Sequence, residues 1–214
     1  MVDNSNPSDG VTLGPNSGIS REKHLTAFVR YWESMRKLGD VPRRSDIDPR
    51  GIEPLLENAL IVEKIAPGLA RMRIAGSHLS DLMGMEVRGM PVSAFVEPAG
   101  REDLSSLLAD LFERPAIIDL ALQSPAAIGR PVMTGRLVLL PLRSDLGDIS
   151  RALGCLITQG AQGRSPRRFH ITNRTVTSVA MPGDNRVAFA EAQTPFQDAP
   201  SPLPSKRPYL RLVK

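Results

Sequence analysis

Residues 71–96, RMRIAGSHLSDLMGMEVRGMPVSAFV, constrain the fold more tightly than any other stretch of the chain. They open with apolar residues alternating with arginine, cross Ala75-Gly76-Ser77, and enter a short run with helical apolar spacing. Gly84, Gly89 and Pro91 then follow in close order. Strict alternation marks a half-buried strand, and apolar residues three and four apart mark a helix face. Such dense punctuation leaves no room for a long regular element. It suits a segment that leaves a sheet and crosses it in short helical steps.

The flanks say what is being connected. Residues 60–64 are rich in Ile and Val and read as a strand, Ala66-Pro67-Gly68 as a tight turn, and residues 69–74 as a second strand. In that second strand Ala70, Met72 and Ile74 alternate with Arg71 and Arg73, so the two strands make an antiparallel hairpin. On the other side, Leu104, Leu107, Leu108 and Leu111 set a helix over residues 100–114, closed by Pro115. Three more strands are expected at residues 116–123, 132–142 and 152–159. The connections SPAAIGRP and RSDLGDISR suit hairpins better than crossover helices. Two strands, a helical insert and three strands, joined by short links, satisfy an α+β fold. Its core is a five-stranded antiparallel sheet with the insert on one face.

Ahead of the sheet, residues 22–38 carry an amphipathic helix. Leu25, Phe28, Trp32 and Met35 form its stripe, Tyr31 and Leu38 widen it, and Gly39 supplies the stop. This face holds the only Trp and must be covered, either by the body of the chain or by the same helix in a second copy. Leu25, Phe28, Trp32 and Met35 are therefore the candidate interaction or dimer surface. Residues 1–19, rich in Gly, Pro, Ser, Asn and Asp, are expected to be a mobile tail. Residues 161–214 are expected to be a basic and then proline-rich extension without much fixed structure, in which residues 169–179 form one more strand or a docked piece. That leaves residues 20–160 as the domain.

Composition narrows the rest. Cys155 is the only cysteine, which excludes an intramolecular disulfide, and its apolar neighbours make it a buried structural thiol. The start of the chain has neither a basic nor an apolar leader region, and no apolar run approaches a membrane span, so the expected location is the cytoplasm. The net charge is +4, and twenty-two of the 27 basic residues are Arg. They are spread along the chain and interleaved with acids, apart from one cluster at residues 163–174, GRSPRRFHITNR. That cluster supports an alternative, a nucleic-acid-associated regulator, in which Arg164, Arg167 and Arg168 contact phosphates.

The element order resembles the PAS fold, and residues 71–95 look like the heart of a bacterial stand-alone single-PAS family. In that resemblance Gly76 marks a strand exit, Gly84 a helix end, and Gly89-Met90-Pro91 the lead into the next turn. YWESMRKLGDVPRRSDIDP resembles the family's amino-terminal helix and connector. The resemblance spans residues 22–159 and implies a sensor or protein-interaction module in signal transduction that lacks its own catalytic output. Met72, Ile74, His78, Leu82, Met83 and Arg88 would line its ligand pocket. PAS-like haem domains commonly use a histidine on the longer helix, and residues 100–114 contain none. His78 is thus expected to cap or pack near a helix start. Light-sensing relatives need a cysteine in a helix motif of the Asn-Cys-Arg type, whereas Cys155 falls in the last of the five strands.

No catalytic constellation emerges. His24, His78 and His170 lack metal-ligand spacing, and there is no hydrolase elbow, phosphate loop or dinucleotide fingerprint. The expectations are therefore no enzyme, no metal and no named cofactor. The expected partners are a signalling protein or a second copy, with a small molecule in the core. A small-molecule enzyme on the same sheet is the least favoured alternative.

Overall fold

The computed structural model describes residues 16–182. Expectations placed on residues 1–15, and on the proline-rich stretch from 183 onward, lie outside them. β1 (Ala59–Ala66) and β2 (Leu69–Ala75) form the hairpin, while β3 (Ala116–Ser124), β4 (Met133–Arg143) and β5 (Ile149–Gln159) form the three-stranded group. β1 pairs antiparallel with β5 from Ala59↔Cys155 to Glu63↔Arg151, which joins the two groups into one sheet.

A sixth strand, one of the two outcomes expected for residues 169–179, joins the expected five. β6 (His170–Ser178) pairs antiparallel with β3 from Ala116↔Ser178 to Gln123↔His170, giving the order β2-β1-β5-β4-β3-β6. The sheet thus continues into residues that the sequence set apart as an extension. β6 is exposed along nearly its whole length, so HITNRTVTS carries no alternation to read. The free edge of β3 recruits it.

Helical elements cover both faces. On the inner face α2 (Ser77–Met83), a 3-10 turn at Val92–Phe95 and α3 (Arg101–Glu113) pack on Leu60, Val62, Met72, Ile118, Leu120, Leu137, Leu139 and Leu156. On the outer face α1 (Asn16–Ser34) and a 3-10 segment at Pro49–Asn58 pack on Ile61, Val138, Leu140, Leu142 and Leu153. β4 supplies both cores in alternation, which is why its sequence is almost continuously apolar. α1 begins inside the stretch expected as a tail and stops before Leu38, which is 98% exposed. Among the described residues no helix is long and apolar enough to cross a membrane.

Two glycines of the segment 71–96 do specific work. Gly84 ends α2 in the left-handed conformation, φ 70°, and donates its N–H to the Ser80 and Asp81 carbonyls. A Cβ on Gly76 would stand 2.2 Å from the Glu57 carbonyl oxygen, so only glycine lets β2 leave beside the 3-10 segment. Beyond α2, Gly89 donates to the Met72 carbonyl at 2.8 Å and Met90 accepts from the Met72 N–H at 2.9 Å. This loop covers the outer edge of β2 and blunts it as a pairing template.

Candidate functional site

Met72 and Leu82 are fully buried in the inner core and Met83 nearly so, and these three expected pocket residues come together. Ile74 does not join them. Ile61 pairs with Ile74 and Val62 with Met72, so Arg73 is an extra residue on β2. One extra residue reverses the facing of everything beyond it. Ile74 consequently shares the side of Ile61, on the outer face, and is 48% exposed.

His78 is half-buried in the first turn of α2, and its Nε2 lies 2.9 Å from Thr158 Oγ1 on β5. Burial pushes its pKa below the usual histidine value, against the pull of Asp81 and Glu57. It ties the start of α2 to the end of the sheet. Arg88 lies exposed in the loop after α2, with its backbone N–H bonded to Glu86. Arg71 and Arg73 converge instead with Arg151 on a single carboxylate, Glu63, at 3.2, 2.5 and 3.2 Å. Hydrogen bonds from Arg73, and then from Arg71, hold the Glu63 pKa low.

The expected dimer stripe is not free. Leu25, Phe28 and Trp32 are all buried against the outer face of this chain's own sheet, with Met35 partly buried beside them. The Trp32 indole donates to the Pro141 carbonyl at 2.9 Å, and the Arg36 guanidinium sits 5.5 Å from the ring centroid. Pro141 lies beyond the last β3–β4 pair, Ile118↔Leu139, where its carbonyl can accept from the helix. The helix is pinned again at its exit, where Arg143 grips the Asp40 carboxylate with Nε and Nη2 at 2.8–3.1 Å and donates Nη1 to Gly147. These hydrogen bonds hold the Asp40 carboxyl below its ordinary range.

The site that sequence reasoning missed lies between β5 and β6. Residues 160–169 form a strap across one side of the inner layer. Ser165 Oγ donates to the Asp81 carbonyl at 2.8 Å, and Gln162 Nε2 bonds the same oxygen. Arg164 N–H bonds Gly129 O at 2.7 Å, Arg167 N–H bonds Leu82 O at 2.7 Å, and Phe169 N–H bonds Phe95 O at 2.8 Å. Facing alternates over residues 167–170, so Arg167 and Phe169 are fully buried while Arg168 and His170 are exposed, and Arg164 further back is exposed as well. The basic cluster is therefore not one surface, and Arg167 is closed to the phosphate contacts expected of it.

Arg167 is 0% exposed. Its Nη2 donates to the Pro131 carbonyl at 2.6 Å, whereas Nε and Nη1 have no partner among the described residues. Burial lowers its pKa, and so does the nearby charge of Arg130. Buried charges are normally paired, so a guanidinium in this condition stands out among the described residues. Nothing in the sequence set Arg167 apart inside what read as a charge run.

Elsewhere the chemistry is quiet. Cys155 belongs to the outer core beside α1, and burial pushes its thiol up to about 12. Among the described residues no group of three or more His, Cys, Asp and Glu could hold a metal ion. A groove of about 310 Å³ runs between α1 and the sheet, with Glu22, Arg30, Asp119 and Arg136 on its walls.

Comparison with known proteins completes the picture. A search of curated proteins finds no match. Among solved structures, the light state of the blue-light photoreceptor Aureochrome1 LOV is 13% identical, with a TM-score of 0.37 over 52% of this chain and 88% of that one. An RNA-binding Light-Oxygen-Voltage receptor is 16% identical, with a TM-score of 0.38 over 57% of this chain and 35% of that one. The sequence profile of the PAS domain matches residues 20–157, from within α1 to the last residues of β5, and the chain accordingly belongs to the PAS domain family.

Proposed function

We propose that this PAS domain is a sensor or protein-interaction module of bacterial signal transduction, acting in the cytoplasm and passing its output to another protein. A signal is received on the inner side of the sheet and read out as a change in how α1 sits on the outer side. The observation that carries this reading is the path of β4. Just before this strand, Pro131 accepts from the buried Arg167 of the inner layer. Near its other end, Pro141 accepts from Trp32 of α1, and Arg143 clamps Asp40 just past the helix. The segment from Pro131 through β4 therefore touches both the strap and the helix, and a ligand with different affinity for two arrangements of the strap would bias the docking of α1. The partner is a signalling protein or a second copy, engaged through surfaces other than the apolar stripe of α1.

Native mass spectrometry of the protein as purified, combined with amide hydrogen exchange, tests this. The expected result is a bound small molecule or partner whose removal changes the exchange of residues 22–34. Identical exchange of α1 with and without the bound species would remove the sensor reading.

A further inference from the structure

We propose that Arg167 is the anion-recognising group of a small-carboxylate site beneath the strap of residues 160–169. The starting point is an imbalance of charge. The side chain is fully buried, and among the described residues Nη2 is the only guanidinium nitrogen with a partner, Nε and Nη1 being buried without one. Arginine cannot shed its proton to escape burial, as a lysine or carboxyl group can. No carboxylate answers it among the described ion pairs, and the neighbour that acts on it electrostatically, Arg130, is also positive. The site therefore lacks one negative charge with oxygen acceptors.

The surroundings select the ligand class. Leu82 and Phe95, whose carbonyls hold the strap, and Phe169 on the strap itself all belong to the inner apolar core. A buried guanidinium beside apolar walls suits a carboxylate carried on an apolar body, because forked N–H donors match two carboxylate oxygens. Access is short, since residues 161, 163, 164 and 168 of the same strap are exposed to solvent while Arg167 and Phe169 are buried. Arg167 also lies outside the residues matched by the family profile, so the site belongs to what this chain adds after β5.

This inference deepens the sensor reading and rests on it only for the consequence of binding. The test is isothermal titration calorimetry on the full chain with sodium propionate and sodium benzoate, with sodium phosphate and sodium chloride at matched ionic strength as further arms. Saturable binding of a carboxylate is expected. It should weaken about tenfold or more in Arg167→Lys, which keeps the charge without the fork, and vanish in Arg167→Met. Three results overturn the site: no saturable carboxylate binding to the native chain, equal binding in Arg167→Met, or preference for phosphate. If Arg167→Met does not fold, an undiminished affinity in Arg167→Lys overturns it equally. Trp32 is the only tryptophan, so its emission reports α1 during the same titration. Binding that leaves Trp32 emission unchanged keeps the carboxylate site and rejects the sensor reading. A Trp32 response without binding at Arg167 does the reverse.

Discussion

Replacing Trp32 with phenylalanine isolates the docking of α1 from the rest of the fold. The ring is fully buried in the outer core, and its N–H donates to Pro141 on β4. Phenylalanine keeps most of the apolar contact but leaves the Pro141 carbonyl without this donor, a desolvation loss of about 1–3 kcal/mol. The smaller ring adds a void, which brings the expected destabilisation to about 2–3 kcal/mol. Trp32→Ala, with the whole ring gone, should lose about 3–5 kcal/mol. The contact with Arg36 contributes only a little, because exposed cation–π pairs are worth about 0.5–1 kcal/mol. In urea, with a slope of about 2 kcal/mol per molar, Trp32→Phe should lower the unfolding midpoint by about 1–1.5 M with the slope unchanged. Circular dichroism follows unfolding without needing the lost indole, and light scattering run alongside gives the mass. A midpoint equal to the native one, together with a fall in mass, would refute the reasoning and return Trp32 to an interface between chains.

Two further perturbations probe neighbouring features. Asp40→Asn breaks the Arg143 clamp at a partly exposed site and should cost about 1 kcal/mol at neutral pH. A carboxylate with a depressed folded pKa adds stability that is complete above its unfolded value, near pH 4, and is lost as pH falls through the lower folded value. The variant should therefore show a shallower loss of stability than the native chain below about pH 4, and superimposable acid limbs in urea titrations would contradict this. Gly76→Ala forces a Cβ against the Glu57 and Leu56 carbonyls, at 2.2 and 2.3 Å, where backbone must move. It should cost about 2–3 kcal/mol by denaturant unfolding, and a neutral result would mean that β2 can leave the sheet by another path.

The strands and helices of this chain were legible because their signals are local. Leu104, Leu107, Leu108 and Leu111 announce α3 by spacing alone, and Gly84 announces the end of α2 because few other residues accept a left-handed φ. The order of those elements, with short links throughout, led to an antiparallel sheet with a helical insert before any contact was known. The identity of the inner-core residues Met72, Leu82 and Met83 followed from the same patterns.

Other features depended on long-range partners, which periodicity does not encode. An apolar helix stripe gains the same stabilisation from its own sheet as from a second copy, and only the packing of Trp32 on Pro141 decides between them. Ile74 reads as an inner residue by alternation, yet the extra Arg73 on β2 turns it outward. β6 has no core face, so only the open edge of β3 makes it a strand. Arg167 looks like one more arginine in a solvated run, and nothing local distinguishes it from Arg164 or Arg168. The tertiary structure alone buries it, because the strap must cross α2 and the β3–β4 connection to deliver β6, and there Arg167 is held by the Leu82 and Pro131 carbonyls with its side chain turned inward.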